Sequence, residues 1–187
     1  ITNSKYFDEA TAANSVKMMN NLSAELDVMR PSMLESGLET IAYNVNRRNT
    51  NLQLFEFGKT YLVDGEGFKE EEHFCIFATG NIAEQGWRNK TTPIDFYAMK
   101  GLATAVLQWC GLQNISLEES AETTDTVSIY ANKQLLGTLQ MVGKNKLNQA
   151  DLKQPVFMLD FPFSNLVKAV QKIKVVYKEV NKFPAVQ

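Results

Sequence analysis

The sequence predicts an α+β fold, a mostly antiparallel sheet flanked by helices, on three observations. An amphipathic helix beginning near Ser32 runs into an aromatic strand at Leu52–Phe57. Asp64-Gly-Glu-Gly67 is a turn signal that folds the chain back toward a second apolar strand at Phe74–Phe77. Past the next helix, short strand patterns follow one another with a turn between the middle pair, and that order gives a mixed α+β class.

Each element has a local reason. Residues 1–14 are polar, with a short helix expected near Asp8–Ala13 and a possible strand through Val16 and Met18. Ser32 and Glu35 have the spacing of a capping box, each side chain satisfying an amide of the first turn. Leu34, Leu38, Ile41 and Val45 recur at spacings of 4, 3 and 4, one face of a helix. Gly37 inside that helix costs about 1 kcal/mol against Ala, so another element is expected to approach it closely. Asn46-Arg-Arg-Asn49 makes the helix C-terminus basic, which suits its dipole. Gly58 is expected to end the following strand or mark a bulge.

The hairpin loop is expected to be acidic and exposed, with Glu66, Lys69 and Glu70-Glu-Glu72 in solvent. Gly80–Pro93 reads as a loop carrying Trp87 and Arg88. Asp95 caps a helix whose apolar face holds Phe96, Met99, Leu102, Val106, Trp109 and Cys110, with Gly111 as its stop. Strands are expected at Ile115–Leu117, Val127–Tyr130 and Leu135–Met141, then a short helix at Lys144–Leu152. A strongly apolar strand at Pro155–Phe161, a helix at Phe163–Lys172 and an extended segment at Ile173–Tyr177 complete the order.

Bulk properties narrow the function classes. At 187 residues the chain is one large domain or a tight pair of subdomains with ample length for a core. A net charge of −2 offers no general attraction to nucleic acid. Cys75 and Cys110 fall in apolar patterns and read as buried free thiols of a reducing compartment. No apolar run reaches membrane-spanning length and no signal-peptide pattern is present, so a cytoplasmic protein without a membrane partner is expected. A start at Ile1 and the extended Phe183-Pro-Ala-Val-Gln187 suggest a piece of a larger polypeptide.

Several segments in this order resemble the β subunit of bacterial phenylalanyl-tRNA synthetase, in its class II synthetase-like part. They are Met29-Arg-Pro-Ser-Met-Leu34 with Gly37-Leu38, Asn44 with Arg47, Leu54-Phe-Glu-Phe-Gly58, Gly80 with Trp87, and Asp95-Phe-Tyr-Ala-Met-Lys-Gly101. Lys182-Phe-Pro-Ala-Val186 is similar to the entry into that family's C-terminal anticodon-binding domain. The resemblance therefore implies a class II core module over 1–182 and the start of a linker at 183–187. Asn20-Asn21 departs from the family's usual Asn-Pro, and His-Pro segments are missing near Thr126–Ala131 and Gly143–Lys146. The resemblance further implies a synthetase alpha subunit as partner, two alpha with two beta, acting on tRNA(Phe), with ATP and magnesium in the parent complex.

The residues themselves argue against adenylation by this chain. Class II synthetases hold ATP with arginines, planar and permanently charged forks that grip phosphate. The four arginines here are Arg30, Arg47, Arg48 and Arg88, none of them in the C-terminal half. Gly65-Glu-Gly67 is acidic and unsuited to phosphate. No catalytic, cofactor-binding or metal-binding residue is expected, and no cofactor in this chain. His73, the sole histidine, has no cysteine in ligand spacing and is read as structural. Glu56, an acid in an aromatic strand, needs a partner, with Arg30 or Arg47 as candidates. Lys100 reads as structural or ion-paired and Trp109 as core.

The candidate interface or scaffold residues are Arg30, Leu34, Leu38, Ile41, Glu56 and Trp87. Arg47 and Arg48, which form with Lys59 a modest basic cluster without interleaved aromatics, are the candidate RNA contacts. The expected function is a non-catalytic module that scaffolds the alpha-subunit active site and tRNA. The alternatives are an active adenylate-forming ligase with unusual motifs, or a class II-like regulatory subunit of another enzyme.

Overall fold

Alternation along the strands sorts the apolar residues onto two sheet faces, and a separate core forms on each. The computed structural model of the chain describes residues 1–20, 23, 26–83, 86–87, 90–119 and 125–173. Six antiparallel strands run in the order β1-β2-β8-β7-β6-β5. They are β1 (Leu52–Asp64), β2 (Gly67–Thr79), β5 (Ile115–Glu119), β6 (Thr126–Ala131), β7 (Gln134–Met141) and β8 (Val156–Pro162). A two-stranded ribbon, β3 (Asn81–Ala83) with β4 (Thr92–Pro93), stands apart in the segment expected to be loop.

On one face, Ile76 and Ala78 of β2 and Phe157, Leu159 and Phe161 of β8 pack with α3 (Phe96–Trp109) and α5 (Phe163–Val170). On the other, Cys75, Phe77, Val156 and Met158 meet α2 (Leu34–Val45) and α4 (Lys144–Gln149). A short α1 (Glu9–Ala13), capped by Asp8, matches the expected lead-in helix. The anticipated strand near Val16 is reduced to isolated bridges, Ser15 with Leu62 and Lys17 with Val28.

Turn chemistry sets the register. Gly65, at φ 58°, and Glu66 close the β1–β2 hairpin, pairing Asp64 with Gly67. Asn132 and Lys133 both take positive φ (50° and 66°), the backbone that a two-residue β6–β7 turn requires. Gly37 lies against the Phe77 ring, so the close approach expected there is real.

Four local expectations are corrected. Gly58 neither ends β1 nor bulges it, but pairs with His73 in mid-strand. Lys69 and Glu70–Glu72 belong to β2, where Lys59 lies 2.6 Å from Glu70 and 3.4 Å from Glu72 and offsets part of the carboxylate run. Met33, not Ser32, is the cap of α2; Ser32 Oγ accepts from the Leu34 amide (3.0 Å) and Glu35 turns inward. The buried stripe of α3 is Met99, Ala103 and Leu107. Trp109, two residues on, is turned by about 200° and is exposed, and Cys110 is exposed beside it. The extended segment expected at Ile173–Tyr177 lies almost wholly outside the described residues.

Two glycines give opposite tests. A Cβ at Gly137 would strike the Asp160 carbonyl and Phe161 of the neighbouring strand, whereas Gly101 on the exposed face of α3 has open space. Gly137→Ala is expected to destabilise by about 2 kcal/mol or more. Gly101→Ala is expected to stabilise by about 0.5–1 kcal/mol through the unfolded state. Urea unfolding of both variants reads the sign directly.

Candidate functional site

Arg30 lies where the N-terminal lead-in reaches β1, just before α2. Its carbonyl accepts from the Tyr61 amide at 2.9 Å, holding it against the strand. The guanidinium then donates from Nε to the Lys59 carbonyl (2.8 Å) and from Nη1 to Glu56 Oε1 (2.7 Å) and Ser36 Oγ (3.2 Å). A Cβ on Gly58 would overlap the guanidinium, so this strand glycine makes room for it. Arg30 is thus the partner that Glu56 requires. Arg47 turns away, donating to the Tyr43 carbonyl (2.9 Å) with its guanidinium 3.4 Å from the Tyr43 ring centroid.

A second charged link joins the other end of the same layer. Glu35, buried in α2, accepts from Lys146 Nζ of α4 at 2.7 Å, and the same ammonium donates to the Tyr6 carbonyl at 2.7 Å. A cavity of about 260 Å³ opens beside this pair, with Leu38, Ala42 and Gln149 in its wall.

The third cluster is at the centre of the sheet. His73 and Cys75 are two residues apart on β2 and share a face, and Asp160 of β8 is Cys75's register partner. Asp160 Oδ1 lies 2.7 Å from His73 Nδ1 and accepts from Cys75 Sγ at 3.3 Å. Thr60 Oγ1 lies 3.0 Å from His73 Nε2. Burial first, then the Asp160 charge, pushes the Cys75 thiol far above its ordinary value. The reading of His73 as lacking a nearby cysteine is therefore corrected: spacing along a helix is irrelevant to a strand, where i and i+2 are neighbours. The His-x-Cys alternation in an apolar strand, with one acid in the equally apolar Pro155–Phe161, is the signal that could have found it.

The remaining candidates separate. Leu38 and Ile41 are buried within this chain, and Leu34 packs partly against them. Trp87 is 93% exposed. Lys59 is held by Glu70 and Glu72, which raise its ammonium above the usual range, so it adds no open charge to Arg47 and Arg48. Arg48 sits at φ 68° in the turn after α2. Lys100 is exposed, and Arg88 lies outside the described residues.

One further strip follows from register. On the α2 side of the sheet, Asp160 is followed across β7 and β6 by Thr138 and Ser128, and Met158 by Gln140 and Thr126. These four β6 and β7 positions are half-buried and neutral.

Residues 1–163 match the family described as phenylalanyl tRNA synthetase beta chain CLM domain. The chain belongs to that family. It is 32% identical to the phenylalanine–tRNA ligase beta subunit of Bacteroides fragilis over 205 residues, covering 100% of this chain and 25% of that protein. The Bacteroides thetaiotaomicron beta subunit is 31% identical with the same coverages, and that of Streptococcus pneumoniae is 30% identical over 95% of this chain and 23% of that protein. This CLM domain chain thus spans about a quarter of the length of the relatives it matches. Among solved structures, the pyrrolysyl tRNA synthetase PylSc of Desulfitobacterium hafniense superposes with a TM-score of 0.66 at 17% identity, over 94% of this chain and 62% of that one. A crystal structure of pyrrolysyl-tRNA synthetase from the same organism gives 0.64 at 17%, over 86% and 54%. At that identity the likeness concerns the fold, which is the class II tRNA synthetase architecture.

Two outcomes follow for this CLM domain. Arg30→Lys, which keeps the charge and loses the fork, is expected to cost about 2 kcal/mol. In a double-mutant cycle with Glu56→Gln by urea unfolding, a coupling of about 1 kcal/mol is expected; independent effects would contradict the pairing. Cys75 sets an alkaline limit. Its thiol keeps its proton in the folded state while the unfolded chain loses it above an ordinary value of 9.0. Stability from this group is complete below that value and falls by about 1.4 kcal/mol per pH unit above it. Chemical unfolding of Cys75→Ala is expected to lack that slope between pH 9 and 10.

Proposed function

We propose that the chain is a non-catalytic structural module of a phenylalanine–tRNA ligase beta chain, scaffolding the alpha-subunit active site and tRNA during charging of tRNA(Phe). One observation supports this reading: the class II framework is present, and among the described residues its sheet brings no arginine fork to an open site. Neither the β1–β2 hairpin nor the β8–α5 unit contains an arginine. The hairpin's cations, Lys59 and Lys69, lie 2.6 Å and 3.9 Å from glutamates. Arg30, which touches the hairpin, is bound internally to Glu56, Ser36 and the Lys59 carbonyl. The strip Ser128, Thr138, Gln140 and Asp160 presents no cation either, so a nucleotide's phosphates find no compensating charge there.

In this reading ATP and magnesium belong to the alpha subunit, two alpha assemble with two beta, and the assembly works in the cytoplasm. Residues 1–182 serve as the module in this reading, of which residues 174–182 lie outside the described residues. The relatives' names support the ligase, and the chain's share of their length supports a part rather than the whole.

Affinity capture of the tagged chain from its native cell tests the partner. Recovery of a phenylalanine–tRNA ligase alpha chain in stoichiometric amount is expected. Recovery of a different enzyme instead would replace the scaffold reading with that of a regulatory subunit.

A further inference from the structure

The cluster at the sheet centre has the donors of a metal site and no role in the scaffold reading. One donor atom from each of His73, Cys75 and Asp160 lies within 4.8 Å of the other two. His73 and Cys75 are buried, and Asp160 keeps a 25% exposed side chain, so the cluster is not sealed from solvent. We propose that His73, Cys75 and Asp160 form a binding site for a zinc-class divalent ion, with imidazole, thiolate and carboxylate as ligands and a fourth position open to water or an outside ligand.

The chemistry of the donors selects the ion. One nitrogen, one sulfur and one oxygen suit zinc, whereas calcium and magnesium take oxygen sets. Tetrahedral zinc places its ligand atoms roughly 3.3–3.7 Å apart. The separations from Asp160 Oδ1, 2.7 Å to His73 Nδ1 and 3.3 Å to Cys75 Sγ, fall at or below that spacing, while the three donors span up to 4.8 Å, so binding opens the Asp160 contacts and draws His73 and Cys75 together. Ligands on the paired strands β2 and β8 are held by the sheet's hydrogen bonds rather than by loops.

A second layer is already in place. Thr60 Oγ1 lies 3.0 Å from His73 Nε2, and Glu71 Oε2 lies 3.9 Å from it. The Thr60 hydroxyl can donate or accept, so it suits either tautomer. Without metal, a proton on Nδ1 serves Asp160. With metal, the Nδ1 lone pair binds the ion and Nε2–H donates to Thr60, the usual outer partner of a ligating histidine. Metal binding requires a bare Nδ1 on His73 and a thiolate on Cys75, so the Cys75 proton leaves to solvent as the metal arrives.

Cobalt titration of the full 187-residue chain carrying Cys110→Ser tests the site, because Cys75 is then the sole thiol. One equivalent of cobalt is expected to give a thiolate-to-metal charge-transfer band in the near ultraviolet and the visible bands of tetrahedral cobalt. One equivalent of zinc should abolish both. Zinc should also slow alkylation of Cys75 at least tenfold in the same variant. Adding Asp160→Asn, nearly the same shape, should weaken cobalt binding at least tenfold while the circular dichroism stays native. Absence of the charge-transfer band in a chain with native circular dichroism and cooperative unfolding would overturn the proposal. So would unchanged cobalt affinity in natively folded Asp160→Asn.

Discussion

Arg30 fastens α2 to the lead-in and β1, which backbone bonds already join. Its carbonyl is bound to β1, its guanidinium spans Glu56 and the Lys59 carbonyl on that strand, and Ser36 of α2 completes the fork. A helix laid across an outer strand needs such a tie, because the apolar contacts beneath it fix distance more firmly than direction. With α2 oriented, Leu38 and Ile41 close over Cys75, Phe77 and Met158, and the second core exists. Two glycines serve the same junction: Gly58 admits the guanidinium and Gly37 admits Phe77.

That use of arginine has a chemical consequence. A guanidinium already bound to a carboxylate, a carbonyl and a hydroxyl offers little to a phosphate, and breaking a half-buried pair leaves a carboxylate without its partner. The lysines of the hairpin are likewise beside glutamates. The sheet keeps its antiparallel class II form while the hairpin lysines, Lys59 and Lys69, are matched by carboxylates. The framework and the ligand chemistry are separable, and fold alone does not carry activity.

Much of the framework was legible because local physics decided it. The 4, 3, 4 spacing of Leu34 to Val45, the Asp95 cap and the Asp-Gly turn each act within a few residues. What escaped depends on distant partners. Glu35 looked like half of a capping box, but Lys146, 111 residues away, draws it inward. The glutamates after Lys69 looked like a solvated loop because their cross-strand lysine could not be seen. Trp109 is exposed because the buried stripe of α3 is set by Met99, Ala103 and Leu107, a narrower face than the apolar spacing suggests. The His73 cluster needed β8 placed beside β2, a pairing across 85 residues from Cys75 to Asp160 that no local pattern reports.

The central claim is that a class II sheet here lacks the means to hold a nucleotide. Calorimetric titration of magnesium-ATP into the isolated, folded chain tests it most directly. The account predicts no saturable heat in the micromolar range and no change on adding phenylalanine. Saturable, magnesium-dependent micromolar binding would contradict it and make the chain a ligase that grips phosphate without the expected arginines.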